Sequence, residues 1–180
     1  MKQKFKYDTA INAILYVLIR LGGQIDMHKL SKILYFADQH HLSLYGRSIT
    51  GDTYIAMQYG PVPSNVDDIL KAVRGDSFFS NCIGDLRTKL KFENRFIVKA
   101  LTEPDTDELS ESDIECLNYA SDLCKNKSFS ELTAFSHGIA WASTARDRAI
   151  SVKDILRETG DDESYVEYIA DQIKAQNLFF

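Results

Sequence analysis

Proline and cysteine are both scarce in this 180-residue chain, with three of each beside nine glycines. So little proline and glycine argues against low-complexity and disordered architectures. The cysteines, Cys82, Cys116 and Cys124, are odd in number and widely spaced, which fits reduced cytosolic thiols and not a disulfide framework. There is no Cys-x-x-Cys pair, so a cysteine zinc site is not expected. Cys116 and Cys124 are eight apart, roughly on one helical face, as two small core residues would be. No apolar run approaches the ~18 residues of a membrane span. The most apolar segment, INAILYVLIRLGG at 11–23, holds Arg20 inside it and has no small-residue cleavage site. It reads as a buried helix and not as a signal peptide. Glycine-rich phosphate loops are lacking too; Gly22-Gly23 reads as a helix stop.

What is present is an ordinary globular profile, 44% hydrophobic and 26% charged, long enough for one real core and too short for two full domains. Residues 1–180 therefore read as a single domain, with 146–180 as a C-terminal helical extension. Charge is uneven. Residues 1–100 carry fourteen Lys or Arg and nine Asp or Glu; residues 101–180 carry seven and seventeen. That asymmetry fits either a basic face for an acidic partner or two halves that attract each other within the fold.

Hydrophobic periodicity predicts a mostly α chain of α+β class: a helical core with one small β-hairpin and a short extended segment after the second helix. Asp8 or Thr9 caps a first helix whose stripe is Ile11, Ile14, Leu15, Leu18 and Leu21. Asp26 caps a second, with Leu30, Ile33, Leu34, Ala37, His41 and Leu44 on its stripe and Gly46 at its end. Thr53 to Met57 alternates like a short extended run, which Gly60-Pro61 breaks. Ser64 or Asn65 then caps a third helix. Residues 88–101 read as a hairpin turning at Glu93-Asn94. Ser110 with Asp113, and Ser128 with Glu131, form two capping boxes. Ser151 caps a short helix, and residues 162–177 form a last one with Tyr165, Ile169 and Ile173 on its stripe.

Chemistry is hard to place. Adjacent His40 and His41 diverge by about 100° on a helix and cannot easily share a metal. Ser136, His137 and Asp147 make a triad on paper only, since no nucleophile elbow surrounds the serine. No catalytic residue, metal site or cofactor is assigned. Arg87, Lys89, Lys91, Arg95 and Lys99 gather on the hairpin, in the position of a winged-helix wing, so a nucleic-acid contact through 87–99 is the alternative reading. Against it, the preceding helix opens with Asp67-Asp68, which would repel phosphate. The C-terminal NLFF is either packed or offered to a partner.

Residues 29–64, KLSKILYFADQHHLSLYGRSITGDTYIAMQYGPVPS, carry more as a unit. They resemble the signature of the Panacea domain, the phage-associated SocA-like antitoxin family. The matching positions include Tyr35, Asp38, Tyr45, Gly46, Arg47, Gly51, Asp52, Met57, Gly60 and Pro61. FSHGIAWAST at 135–144, with His137 and Trp141, resembles a second element of that family. The likeness spans roughly 8–145, and only in outline over 76–128. Ser48 departs from it, since proline usually follows the arginine. The resemblance implies a bacterial, cytoplasmic protein that neutralises a cognate toxin encoded nearby. It does so by direct contact or by delivering the toxin to an energy-dependent protease, with no enzymatic activity and no cofactor. Within 47–64, two prolines stiffen the chain, and Tyr54, Gln58 and Tyr59 offer the rigid amphipathic surface that interfaces favour. The segment thus reads as an architectural bend, held by an Arg47–Asp52 ion pair, whose exposed edge meets the partner with help from Lys89, Lys91 and Arg95. His137 and Trp141 are expected to pack on that bend.

Overall fold

The computed structural model describes residues 3–76 and 85–178. Helix α1 (Tyr7–Arg20) sends Ala10, Ile11, Ile14, Leu15, Val17 and Leu18 into the core. Asp8 and Thr9 are not its cap: Lys6 stands at that position and offers no side-chain bond, so both lie within the first turn. After the Gly22-Gly23 turn comes strand β1 (Gln24–Asp26), which the sequence reading did not foresee. Helix α2 (Met27–Tyr45) starts as expected, with the Asp26 carboxylate accepting from the backbone N–H of His28 and Lys29, and ends at Gly46.

Helix α2 is the centre of the molecule. Leu30 to Asp38 are all buried, whichever side of the helix they occupy. It packs most extensively on α5 (Glu111–Cys124), and also on α1, α6 (Phe129–Ser136) and α8 (Val152–Thr159). Its far end is freer, and Leu44, expected on the buried stripe, is 52% exposed.

The extended run after α2 is a hairpin, not a single strand. Strand β2 (Tyr54–Met57) pairs antiparallel with β3 (Gly60–Pro63), placing Ile55 opposite Val62 and Met57 opposite Gly60. Two prolines are tolerated in β3 because its other side faces α2 and needs no ladder N–H. The outer edge of β2 is closed by residues 147–150: Ala56 N–H donates to the Arg148 carbonyl, and Ile150 N–H to that of Tyr54. A separate three-stranded antiparallel sheet has the order β1-β5-β4, with β4 at Leu90–Phe92 and β5 at Ile97–Ala100. Its hairpin turns over residues 93–96 and not over two. Asn94 Oδ1 accepts from the N–H of Phe96 and Ile97, a local bond that stabilises the longer turn.

Helix α3 (Ser64–Arg74) follows β3, and the one-turn α4 (Leu86–Lys89) precedes β4. Both capping boxes form, at Ser110 with Asp113 and at Ser128 with Glu131. A short α7 (Ile139–Ala142) links α6 to α8, which Ser151 caps. Helix α9 (Glu163–Leu178) lays Val166, Ile169 and Ile173 on the core, beside Ile155 and Leu156 of α8. Among the described residues the class is α+β, mostly α. Cys116 and Cys124 are buried in the core, whereas Cys82 and the terminal Phe179-Phe180 lie outside the described residues.

Candidate functional site

Two buried carboxylates shape the bend. Asp38 accepts four hydrogen bonds: from Ile49 N–H (2.8 Å), Thr50 N–H (3.1 Å), Thr50 Oγ1 (2.5 Å) and Tyr54 Oη (2.8 Å). Burial nevertheless pushes the Asp38 carboxyl above its usual range, with those bonds pulling the other way. Asp52 caps α3 from outside. Its oxygens accept from Asn65 N–H (3.0 Å) and Val66 N–H (2.9 Å), and from the Thr53 N–H and Asn65 side chain as well. That overturns the expected cap, because neither Ser64 nor Asn65 bonds the helix start.

It also overturns the Arg47–Asp52 ion pair. Arg47 pairs instead with Asp113 (3.0 Å) and donates to Ser110 Oγ (3.0 Å), tying the bend to the first turn of α5. Buried His41 closes the cluster, with Nδ1 on the Arg47 carbonyl (2.8 Å) and Nε2 beside Asp113 (3.1 Å). Asp113 Oδ1 has no well-aligned hydrogen bond, and the Arg47 guanidinium holds it by charge. Burial raises the Asp113 carboxyl, but His41, Ser110 and Arg47 outweigh it and hold the group well below the usual carboxylate range. At Gly51 (φ +68°) the backbone lies against the Lys4 carbonyl, leaving no room for a side chain.

These anchors throw the β2–β3 turn over the N-terminal end of α2. There it walls an open groove of about 570 Å³. One side is the turn, with Met57, Gln58 and Tyr59; the other is α3, with Asp67, Lys71 and Arg74, and the hairpin residue Phe96. Phe129, at the start of α6, stands edge-on to Tyr59 (ring centroids 5.3 Å apart) and against His28 (4.1 Å). His28 Nε2 donates to the Tyr59 carbonyl (3.1 Å), fixing the turn. Met57, Tyr59, Phe96 and Phe129 are all exposed apolar side chains around one concavity, the arrangement that marks interaction surfaces.

Lys32 lies at the floor, completely enclosed. Its ammonium donates to the Pro61 carbonyl (2.8 Å) and forms no ion pair among the described residues. Burial lowers its pKa to about 7. Gly60 (φ +99°) makes the approach possible: a Cβ there would collide with Ser136 Oγ and sit 2.9 Å from Lys32 Nζ. A second, small cavity of about 20 Å³ lies by Gln3, Ser48 and Asp52, with room for about one water.

The residues expected to meet a partner divide. Gln58 and Tyr59 line the groove. Tyr54 does not: it is buried, edge-on to Tyr35 at 5.1 Å and bonded to Asp38. Lys89 pairs with Asp85 (3.2 Å), and Glu93 takes Lys91 (2.8 Å) and Lys99 (3.5 Å). Much of the charge that suggested a phosphate-binding wing is therefore matched locally. The Arg95 carbonyl accepts from Arg74 (2.7 Å) at the groove rim. Among the signature residues, Tyr35 donates to Glu158 (3.1 Å) and Tyr45 to Glu115 (2.7 Å). His137 and Trp141 stack (3.6 Å, 7° between planes) across the α6–α7 junction rather than along one helix. Trp141 Nε1 donates to the Met57 carbonyl (2.8 Å), so the pair does brace the bend. Ser136 Oγ donates to Thr133, and Asp147 ends in an exposed turn with φ 60°, so no triad is assembled.

Sequence reasoning missed Phe129, Phe96, His28, Lys32 and Arg74. Phe129 left one trace, an aromatic off the apolar stripe of a well-capped helix. No curated protein and no solved structure matches the chain. The model of one family, described as antitoxin SocA-like, Panacea domain, matches residues 30–142, which run from α2 through the bend and the groove walls to the His137–Trp141 stack; the chain belongs to that family.

Proposed function

We propose that this protein is an antitoxin that neutralises a cognate protein toxin by binding it directly through the groove, and that it carries out no catalysis. The observation that supports the reading is the ring of exposed apolar side chains around the groove, with Met57 and Tyr59 on a bend held by buried carboxylates, Phe96 on the 93–96 turn and Phe129 at the start of α6. Rigid aromatic surface on a stiff scaffold binds with little entropy loss, and hot spots concentrate in such residues. The pairing of Lys89, Lys91 and Lys99 with nearby carboxylates favours a protein partner over nucleic acid.

The test is co-expression with the product of the adjacent reading frame. Wild-type chain should rescue growth, and Tyr59→Ala/Phe129→Ala should weaken binding of the purified toxin at least about tenfold while the fold is kept. Toxin abundance separates the two modes: unchanged under blocking, reduced under delivery to an energy-dependent protease. Unimpaired rescue by the double variant would overturn the groove as the contact.

A further inference from the structure

The groove carries exposed apolar side chains at its rim and one buried cation, Lys32, beneath. Four cations line it, Lys32, Lys71, Arg74 and Arg146, against three carboxylates, those of Asp26, Asp67 and Asp147. Most of these charges are already matched. Lys71 pairs with Asp67 (2.5 Å), Arg74 with Asp76 (2.7 Å), and Arg146 lies 3.9 Å from Asp147. Asp26 is spent on the start of α2, accepting from the backbone of His28 and Lys29. Lys32 is left over: among the described residues its ammonium has a carbonyl for company and no anion.

A buried lysine without a carboxylate costs stability, since desolvation is not offset by a counter-charge. An apolar side chain of the same length would fill the space without that cost. Retaining a charge under the floor of an open groove is what a binding site for an anion requires. The field of such an enclosed charge passes through protein atoms with less screening than in water, so a carboxylate lying above it is attracted without touching Nζ.

We infer that the groove receives a segment of the toxin in which an acidic side chain is flanked by apolar ones, the carboxylate lying over Lys32 and the apolar groups against Tyr59, Phe96 and Phe129. This rests on the antitoxin reading and adds the chemistry of the partner segment. The apolar groups take their place on exposed rings. The carboxylate supplies the counter-charge that the chain itself withholds, and with it orientation and selectivity.

The experiment uses the full chain at pH 6 and two acetylated, amidated pentapeptides, Leu-Phe-Glu-Glu-Leu and Leu-Phe-Gln-Gln-Leu, followed by calorimetry and by amide shifts in the NMR spectrum. The glutamate peptide is expected to bind at least about fivefold more tightly than its neutral twin and to shift Tyr59, Phe96 and Phe129. Lys32→Met should abolish that preference while retaining the neutral peptide's affinity, which also shows that the variant is folded. Arg74→Gln provides a second variant, expected to reduce the preference less. Equal affinity of the two peptides, or preference for glutamate that survives in Lys32→Met, would overturn the inference. So would displacement of the peptide by an oligothymidylate, which would give the groove to nucleic acid. Rescue of growth is scored separately: wild-type chain that binds the glutamate peptide selectively yet rescues nothing sinks the antitoxin reading, and wild-type chain that rescues but ignores the peptide sinks only this one.

Discussion

Lys32 gives the sharpest view of how single residues set this protein's properties. Burial holds its folded pKa at about 7, below the ordinary lysine value of 10.5. Below pH 7 both states are protonated, and burial of the charge costs the folded state in full. Between about pH 7 and 10.5 the unfolded chain holds the proton more tightly, so this group's contribution to stability rises with pH across that window. Lys32→Met should therefore be more stable than wild type at pH 6, by about 1–3 kcal/mol after the lost bond to Pro61 is counted. The difference should shrink towards pH 9. Urea denaturation at the two pH values measures it, and a pH-independent difference would show that the ammonium is not desolvated. Asp38 is the opposite case. It too is fully enclosed, but four donors surround it, so its burial specifies the path of residues 49–54.

At the scale of elements, legibility followed the range of the interaction. The caps of α2, α5, α6 and α8 were all readable, since donor and acceptor lie within three residues of each other. The cap of α3 was not, because Asp52 reaches it from thirteen residues away. Strand β1 escaped because three residues beside Gly22-Gly23 carry no periodic signal, and its partner β5 lies more than seventy positions along the chain. A one-sided stripe was the wrong frame for α2: His41 on that stripe is buried, but so are Lys32 and Asp38 off it, against the bend. Tyr54 was misplaced for the same reason. The join between the bend and α5 is open to test. The Asp113 carboxyl is held below the ordinary aspartate value of 3.8, so its contribution is complete above about pH 4 and is lost as pH falls from there towards the folded value. Asp113→Asn should cost about 2–4 kcal/mol at pH 7, since Arg47 loses its counter-charge. The deficit relative to wild type should narrow below pH 4 in urea titrations. A deficit that stays constant down to pH 2 would assign the effect to packing.

For the whole molecule, the match to the family ends at residue 142, yet the core does not. Ile155, Leu156, Val166, Ile169 and Ile173 belong to the same hydrophobic cluster as α1 and α2. Glu158 is the polar counterpart of that packing: its oxygens accept from Tyr35 Oη (3.1 Å), Gln39 Nε2 (2.8 Å) and Ala140 N–H (2.7 Å), joining α8 to α2 and to the start of α7. Tyr165 of α9 reaches the Ser43 carbonyl (2.9 Å), and Ile169 lies against Gly46, at the end of α2. Removing α8 and α9 therefore strips one flank of the central helix. Each buried aliphatic side chain lost is worth about 1.5–3 kcal/mol, and five of them together are comparable to the whole stability of a typical domain. A chain ending at residue 150 should fail to show a cooperative thermal transition, although it retains every residue of the groove. If that chain melts cooperatively near the full-length temperature, α8 and α9 are an appendage, and the family-matched region builds its groove on its own core.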